Sequence, residues 1–487
     1  MFSDYIYKLS SAEYTDRIIL IDVDHVAEKT DYTDAFVAHG FEIITYKDDL
    51  QFRVDYENLW KNKTGKLAII TGLEKYIPYD IQALAKVFRF SKSDLFPRIN
   101  PAVLKNMGAV DYDLISEAYQ NDYEMRKTVN ESREFLETKV YEKSNVGAFL
   151  TDRVQKLIET AQNSVSYREW FAISQKKALL DVLAIEYGVQ VDMSVINLLF
   201  RDYIMNQYGK LSSVLDRESP VLVCKVMEFM HEHSKRFVVV VMDGMSEFDW
   251  NILSSSFDGI HYEAAAAFAM IPTVTSVSRQ CLLSNKYPSQ LLSPWSQSKE
   301  KQEFIDCARA MGFSEKQISY QRGYDADFGS LIRCGAVIIN DIDDMVHGQK
   351  QGRIGMFNDV GVMAKQKKLV DMTRRFLAAG FDVYITADHG NTTRRGMGKL
   401  MSTGVETETK SRCMLVLRDF ADKDSIKGRY GMLEFPKTYL PKEYDYLICD
   451  VGDSFDVKGE DVMSHGGISI DECVVPLIKI KAVENNG

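Results

Sequence analysis

VVVVMDG, residues 238–244, is a run of four valines and a methionine that ends on an acid and a glycine. An apolar run without alternation reads as a strand covered on both faces, the habit of parallel sheets in α/β proteins. Asp243 then falls just past the carboxyl end of that strand, and Gly244 lets the chain turn sharply beside it. Two more such runs follow, AVIIN at 336–340 and VYIT at 383–386. The first leads into Asp343 and His347 of DDMVH, the second into Asp388 and His389 of ADHG. Open α/β sheets place their ligands at the carboxyl edge, so these side chains are expected to converge there. His465 in SHGG joins them as a late histidine followed by two glycines.

Each motif alone has a plainer reading. Asp-Gly after a strand is most often a turn. IPTVTSVSRQ, residues 271–280, offers Thr273, Thr275, Ser276 and Ser278, with Ser284 a little later. Pro272 marks a turn before a helical stretch, so these hydroxyls lie where a helix N-terminus would begin and an N-cap would suffice. At such a terminus, free N–H groups and the helix dipole would also stabilise a phosphoryl adduct. If their segment is helical, Asp343 and His347 lie about one turn apart on one face, a spacing that allows one ion to be bound by both; Asp341 and Asp344 compete or are solvated. Imidazole with carboxylate fits Zn²⁺ or Mn²⁺ better than Mg²⁺ or Ca²⁺.

The 487 residues carry a formal charge of −11, which disfavours indiscriminate coating of nucleic acid. A local basic cluster stands out, with Arg394, Arg395, Lys399, Lys410 and Arg412 against Glu406 and Glu408. It directly follows the Asp388–His389 motif and suits an anionic substrate. The seven cysteines are scattered and form no C-x-x-C pair, which argues against a disulfide framework or cysteine zinc cluster. No apolar run reaches the ~18 residues of a membrane span. The first residues lack a secretory pattern, and a reducing cytoplasm is the expected setting.

Three parts are expected along the chain. Residues 1–90 read as a small α/β domain with strands in RIILIDV, FEIITY and LAIITG. Asp22 and Asp24 there read as structural. Residues 91–234 show helical periodicity and few glycines, a helical domain; residues 235–487 alternate strand and helix.

The order of the motifs adds what none carries singly. Asp243, then Pro-Thr-x-Thr, Asp-x-x-x-His, Asp-His-Gly and a late His-Gly resembles the alkaline phosphatase superfamily. Within it, IPTVTSVSRQCLLSNKYP, ADHGN and SHGGISIDECVVPLI resemble the PglZ domain of BREX phage-exclusion systems. The resemblance covers about half the chain, roughly residues 236–482. It implies an alkaline-phosphatase-like sheet with helices on both faces and a phosphodiesterase or phosphatase using two divalent ions, Zn²⁺ or Mn²⁺. It also implies Asp343, His347 and His465 as one ligand set and Asp243, Asp388 and His389 as the other. Thr275 would bridge to the second set as nucleophile, with Ser276 next in line. Through the resemblance, attack by Thr275 would give a phosphothreonine that water hydrolyses.

Arg279, Arg394 and Lys399, with Arg395 and Arg412, are candidate clamps for a phosphoester substrate, a nucleotide or nucleic acid among them. BREX partners, a methyltransferase and an ATPase, are implied likewise. The competing expectation is a scaffold of the defence complex whose ions are structural; a phosphate-transferring mutase of the same superfamily is a third.

Overall fold

The computed structural model describes residues 1–46, 48–60, 65–105, 107–398, 411–418 and 423–482. The chain forms two compact units, Met1–Phe149 and Leu150–Gly487.

The first unit is built on a parallel four-stranded sheet in the order Phe41–Thr45, Lys66–Thr71, Arg17–Asp22, Lys86–Phe90. Ile19, Ile44, Leu67 and Ile69 supply its buried core together with Phe52 and Ile81. The fourth strand, KVFRF, escapes a sequence reading because it is a charged edge with three of its five residues exposed. Asp22 accepts the backbone N–H of Val26 and Ala27, a local capping role.

The second unit holds a seven-stranded sheet. From edge to edge its strands are Val221–Leu222, Glu263–Phe268, Val474–Ile480, Asp382–Thr386, Phe237–Met242, Cys334–Ile339 and Ile318–Arg322. Every residue of Phe237–Met242 and Cys334–Ile339 is buried, so both faces of the sheet centre are covered, as unbroken apolar runs require. Strands 382–386, 237–242, 334–339 and 318–322 are mutually parallel. Strand 474–480 runs antiparallel between Asp382–Thr386 and Glu263–Phe268.

This topology decides where the chemistry lies. The carboxyl ends of 237–242, 334–339 and 382–386 share one edge, and the antiparallel 474–480 starts there. Val474 pairs with Phe268, so the turn that leads to helix Thr275–Ser284 leaves from the same edge. His465 arrives from a separate three-stranded sheet, Asp453–Ser454, Thr392–Gly396 and Asp461–Ser464, just past its last strand. Helices Tyr167–Glu186 and Ser194–Gln207 belong to this unit. All seven cysteines are buried and free. Among the described residues no helix is long and apolar enough to cross a membrane.

Candidate metal centre

Two acid–histidine groups form at the carboxyl edge, Asp343 with His347 and His465, and Asp243 with Asp388 and His389. Within each group the potential ligand atoms lie within 4.8 Å of one another. Asp343 and His347 share a face of helix Asp341–Gly348, with Oδ2 3.3 Å from the His347 Nε2. The other Asp343 oxygen is 3.3 Å from the His465 Nε2. In the second group the His389 Nε2 is 3.7 Å from Asp243 and 3.8 Å from Asp388. The groups adjoin: the His389 and His465 rings stack with centroids 4.2 Å apart. Gly244 adjoins Asp343, and its φ of +76° is the backbone conformation that calls for glycine there.

Thr275 is the first residue of helix Thr275–Ser284. Its Oγ1 lies 3.4 Å from Asp243 Oδ1 and 3.2 Å from His389 Nε2. The neighbouring hydroxyls sit differently. Thr273 is fully buried and donates to Glu472, whereas Ser278 donates to the Asp388 carbonyl and accepts from the Met270 N–H. Ser276 lines the pocket beside Thr275. Ser284 lies at the far end of the helix, and Asp344 is exposed outside both groups.

The residues fit divalent cations on three counts. His389 directs Nδ1 at the Gly390 carbonyl (3.0 Å) and His465 directs Nδ1 at the Thr273 carbonyl (2.9 Å). A carbonyl only accepts, so each Nδ1 carries the proton and each Nε2 turns its other valence toward the carboxylates. Burial, and then the charge of His465, push the His389 imidazole down to about 4. It is therefore neutral, and its Nε2 lone pair faces two carboxylates. Asp388 is the second count. Burial and then the charge of Asp243 hold its carboxyl well above the usual range, and its Oδ2 has no hydrogen-bond donor among the described residues. The third is Asp343, where burial works upward but hydrogen bonds from His347 and His465 hold the carboxyl well below its ordinary value. Burial likewise opposes a charged His465, yet Asp343 raises its pKa, so a cation is favoured between the two.

A pocket of about 500 Å³ opens over the centre, lined by Thr275, Ser276, Trp295, His347, Arg412 and His465 among others. Among the described residues, Arg412 is the one expected anion clamp that lines it, half-exposed and 3.1 Å from Asp456. Arg279 is buried beneath the site, paired with Asp243 and, through Nε at 2.8 Å, with Glu300. The expectation that Arg394 clamps substrate is corrected. It is fully buried, its guanidinium paired with Glu472 and donating to the Asp453 carbonyl at 3.0 Å. Arg395 points to the exposed side of the same strand. Lys399 and Lys410 lie outside the described residues.

Sequence reasoning missed Asn391 and Glu472. Asn391 is buried and donates to the Gly244 carbonyl and to Asp249, tying the Asp388–His389 turn to the Asp243 turn. The only signal for it was its place directly after ADHG. For Glu472 the signal was an acid one residue removed from the apolar VVPLIKI.

Parallel strands, with a small adjoining sheet that supplies His465, bring two acid–histidine groups and a helix-terminal threonine to one edge and define an alkaline-phosphatase-like domain, a fold of phosphoester hydrolases. The family model described as the BREX system PglZ alkaline phosphatase-like domain matches residues 221–480, more than half of the chain. The chain belongs to this PglZ family. No relative among curated proteins matches it. Among solved structures it is similar to murine ectonucleotide pyrophosphatase/phosphodiesterase 5, at 12% identity and a TM-score of 0.36, over 50% of this chain and 87% of that one. The human form of that protein gives 13% and 0.37 over the same shares. Phosphonoacetate hydrolase from Sinorhizobium meliloti gives 11% and 0.30, over 52% of this chain and 92% of that one.

Proposed function

We propose that this chain is a two-ion phosphoesterase with Thr275 as nucleophile, working in the cytoplasm within a BREX-like defence system alongside its methyltransferase and ATPase. One observation carries the reading: the Thr275 hydroxyl stands at a helix N-terminus within 3.4 Å of Asp243 and 3.2 Å of His389. Asp343, His347 and His465 would hold one cation; Asp243, Asp388 and His389 would hold the other, Zn²⁺ or Mn²⁺. When bound, such ions supply the positive charge that acidifies a hydroxyl and offsets charge on phosphoryl oxygens.

The chain's own residues do the rest. Thr275 Oγ1 gives up its proton to solvent water and attacks phosphorus in line as the bond to the leaving oxygen breaks, and that oxygen takes up a proton from water as it departs. The positive end of helix 275–284 faces the phosphoryl oxygens. Water then attacks the phosphorus of the phosphothreonine, the bond to Oγ1 breaks, the phosphate product leaves, and a proton from the water restores the Thr275 hydroxyl. Arg412 at the pocket wall orients the anionic substrate, for which a nucleotide or nucleic acid phosphoester is the proposed class.

The test is turnover of bis-p-nitrophenyl phosphate and p-nitrophenyl phosphate with Zn²⁺ or Mn²⁺. Thr275→Ala and Asp243→Ala should each lower kcat by at least ~10³-fold, as loss of a nucleophile or its partners does in other covalent hydrolases. Unchanged turnover in both variants sinks the site. Two ions bound with no turnover of any substrate would favour the scaffold role.

A further inference from the structure

Resting on the two-ion reading, we propose that Glu472 is a positioning residue that fixes the distance between the two ligand sets, with Thr273 as its intermediary. Glu472 is fully buried and makes four contacts, every one with a donor. Its Oε2 accepts the Thr273 hydroxyl at 2.9 Å and the Gly467 N–H at 2.7 Å. Its Oε1 accepts the Ser469 N–H at 2.8 Å and the Arg394 guanidinium.

Thr273 completes the bracket. Its Oγ1 accepts the Gly466 N–H at 2.9 Å, and its carbonyl accepts the His465 Nδ1–H at 2.9 Å. Thr273 is two residues before Thr275, which faces Asp243 and His389. The Gly466–Gly467 turn directly follows His465, which faces Asp343. One carboxylate therefore ties the chain entering the nucleophile to the loop that carries a ligand of the other set. Close packing leaves no slack: a Cβ on Gly467 would collide with the Arg394 guanidinium, and one on Gly466 with the Ser411 hydroxyl.

The chemistry demands a carboxylate. Four donors converge on two oxygens, so an amide would set its own NH₂ against an N–H or against Arg394. An apolar group would strand the Arg394 charge. Outer partners of this kind orient the groups they touch and typically govern ion affinity by about 10- to 100-fold.

Isothermal titration of Zn²⁺ into the chelator-stripped full chain separates positioning from plain stability, read well below the lowest Tm of the set. The variants are Glu472→Gln, Thr273→Val and the conservative Thr273→Ser. Wild type should bind two ions. Glu472→Gln and Thr273→Val should bind one of them about tenfold or more weakly, and Thr273→Ser should stay close to wild type. If Glu472→Gln does not fold, Thr273→Val decides. Wild-type affinity for both ions in Thr273→Val and in any folded Glu472→Gln, with only Tm lowered, would overturn the proposal and leave the two-ion reading intact. Equal weakening in Thr273→Ser and Thr273→Val would overturn it as well, because the hydroxyl would then not be the link. A wild type that binds no ion would overturn both readings.

Discussion

Glu247 shows what burial does to one carboxyl in this fold. It begins the helix Glu247–Ser254, is buried, and its Oε1 has no hydrogen-bond donor among the described residues. Burial pushes it up to about 8, against a smaller opposing effect of the Gln175 amide. The folded chain therefore keeps this proton where the unfolded chain releases it. Below the unfolded value both states are protonated and the group contributes nothing to the pH dependence. As pH rises from there toward 8 the unfolded state alone ionises, and stability falls. Glu247→Gln removes this loss. Urea denaturation should show the variant gaining on wild type as pH rises from 5 to 8, by an amount on the order of a few kcal/mol at the upper end. A gain equal at both pH values would refute the assignment.

Helix Tyr167–Glu186 is tied to the segment carrying Asp388 and His389 although it precedes the family-matched region. Its Lys177 is buried and donates to Asp181 at 2.8 Å and to Asp471 at 2.8 Å. Arg353 of helix Gly352–Gln366 reaches the same two acids at 3.0 and 3.2 Å. Asp471 in turn abuts Gly390, where a Cβ would collide with the Asp471 carbonyl. The same Cβ would also crowd Ser246. Lys177→Ala leaves buried carboxylates short of a partner, and thermal or urea unfolding should register a loss of about 3–5 kcal/mol. Lys177→Met fills more of the space but not the charge, so it should recover little of that loss.

The short strand Thr392–Gly396 makes the limits of sequence reading concrete. Arg394 and Arg395 are adjacent and chemically identical, yet Arg394 faces inward to Glu472 and Arg395 faces solvent. The choice is set by pairing of Thr392 with Ser464 and Arg394 with Val462, a register that a one-residue slip would invert. By contrast, the helix Asp341–Gly348 was legible. The four-residue spacing of Asp343 and His347 fixes a shared face whatever surrounds it.

At the scale of the whole chain, Leu150–Gly487 is one compact unit and Met1–Phe149 another. A fragment of residues 150–487 should therefore fold with a cooperative thermal transition. A fragment of 221–487, begun at the family boundary, loses Lys177, helices Tyr167–Glu186 and Ser194–Gln207 and the rest of helix Lys143–Asn163, and should be aggregated or lack such a transition. Circular dichroism and size-exclusion chromatography distinguish the two. The proposed ions would act on the same unit: if they are held there, a chelator should lower its Tm by several degrees and Zn²⁺ or Mn²⁺ should restore it. A Tm indifferent to chelator would count against the centre.

The unbroken apolar runs and the acids that end them were enough to specify a buried sheet with its chemistry at one edge. The reason is local: parallel strands share a direction, and whatever follows them falls on the same side. Tertiary structure alone decided which cations are paired inside the protein and which face the pocket, and that Glu472 and Lys177 are buried in ion pairs. Those outcomes depend on register and on contacts between segments far apart in the chain, where identical residue types meet different surroundings.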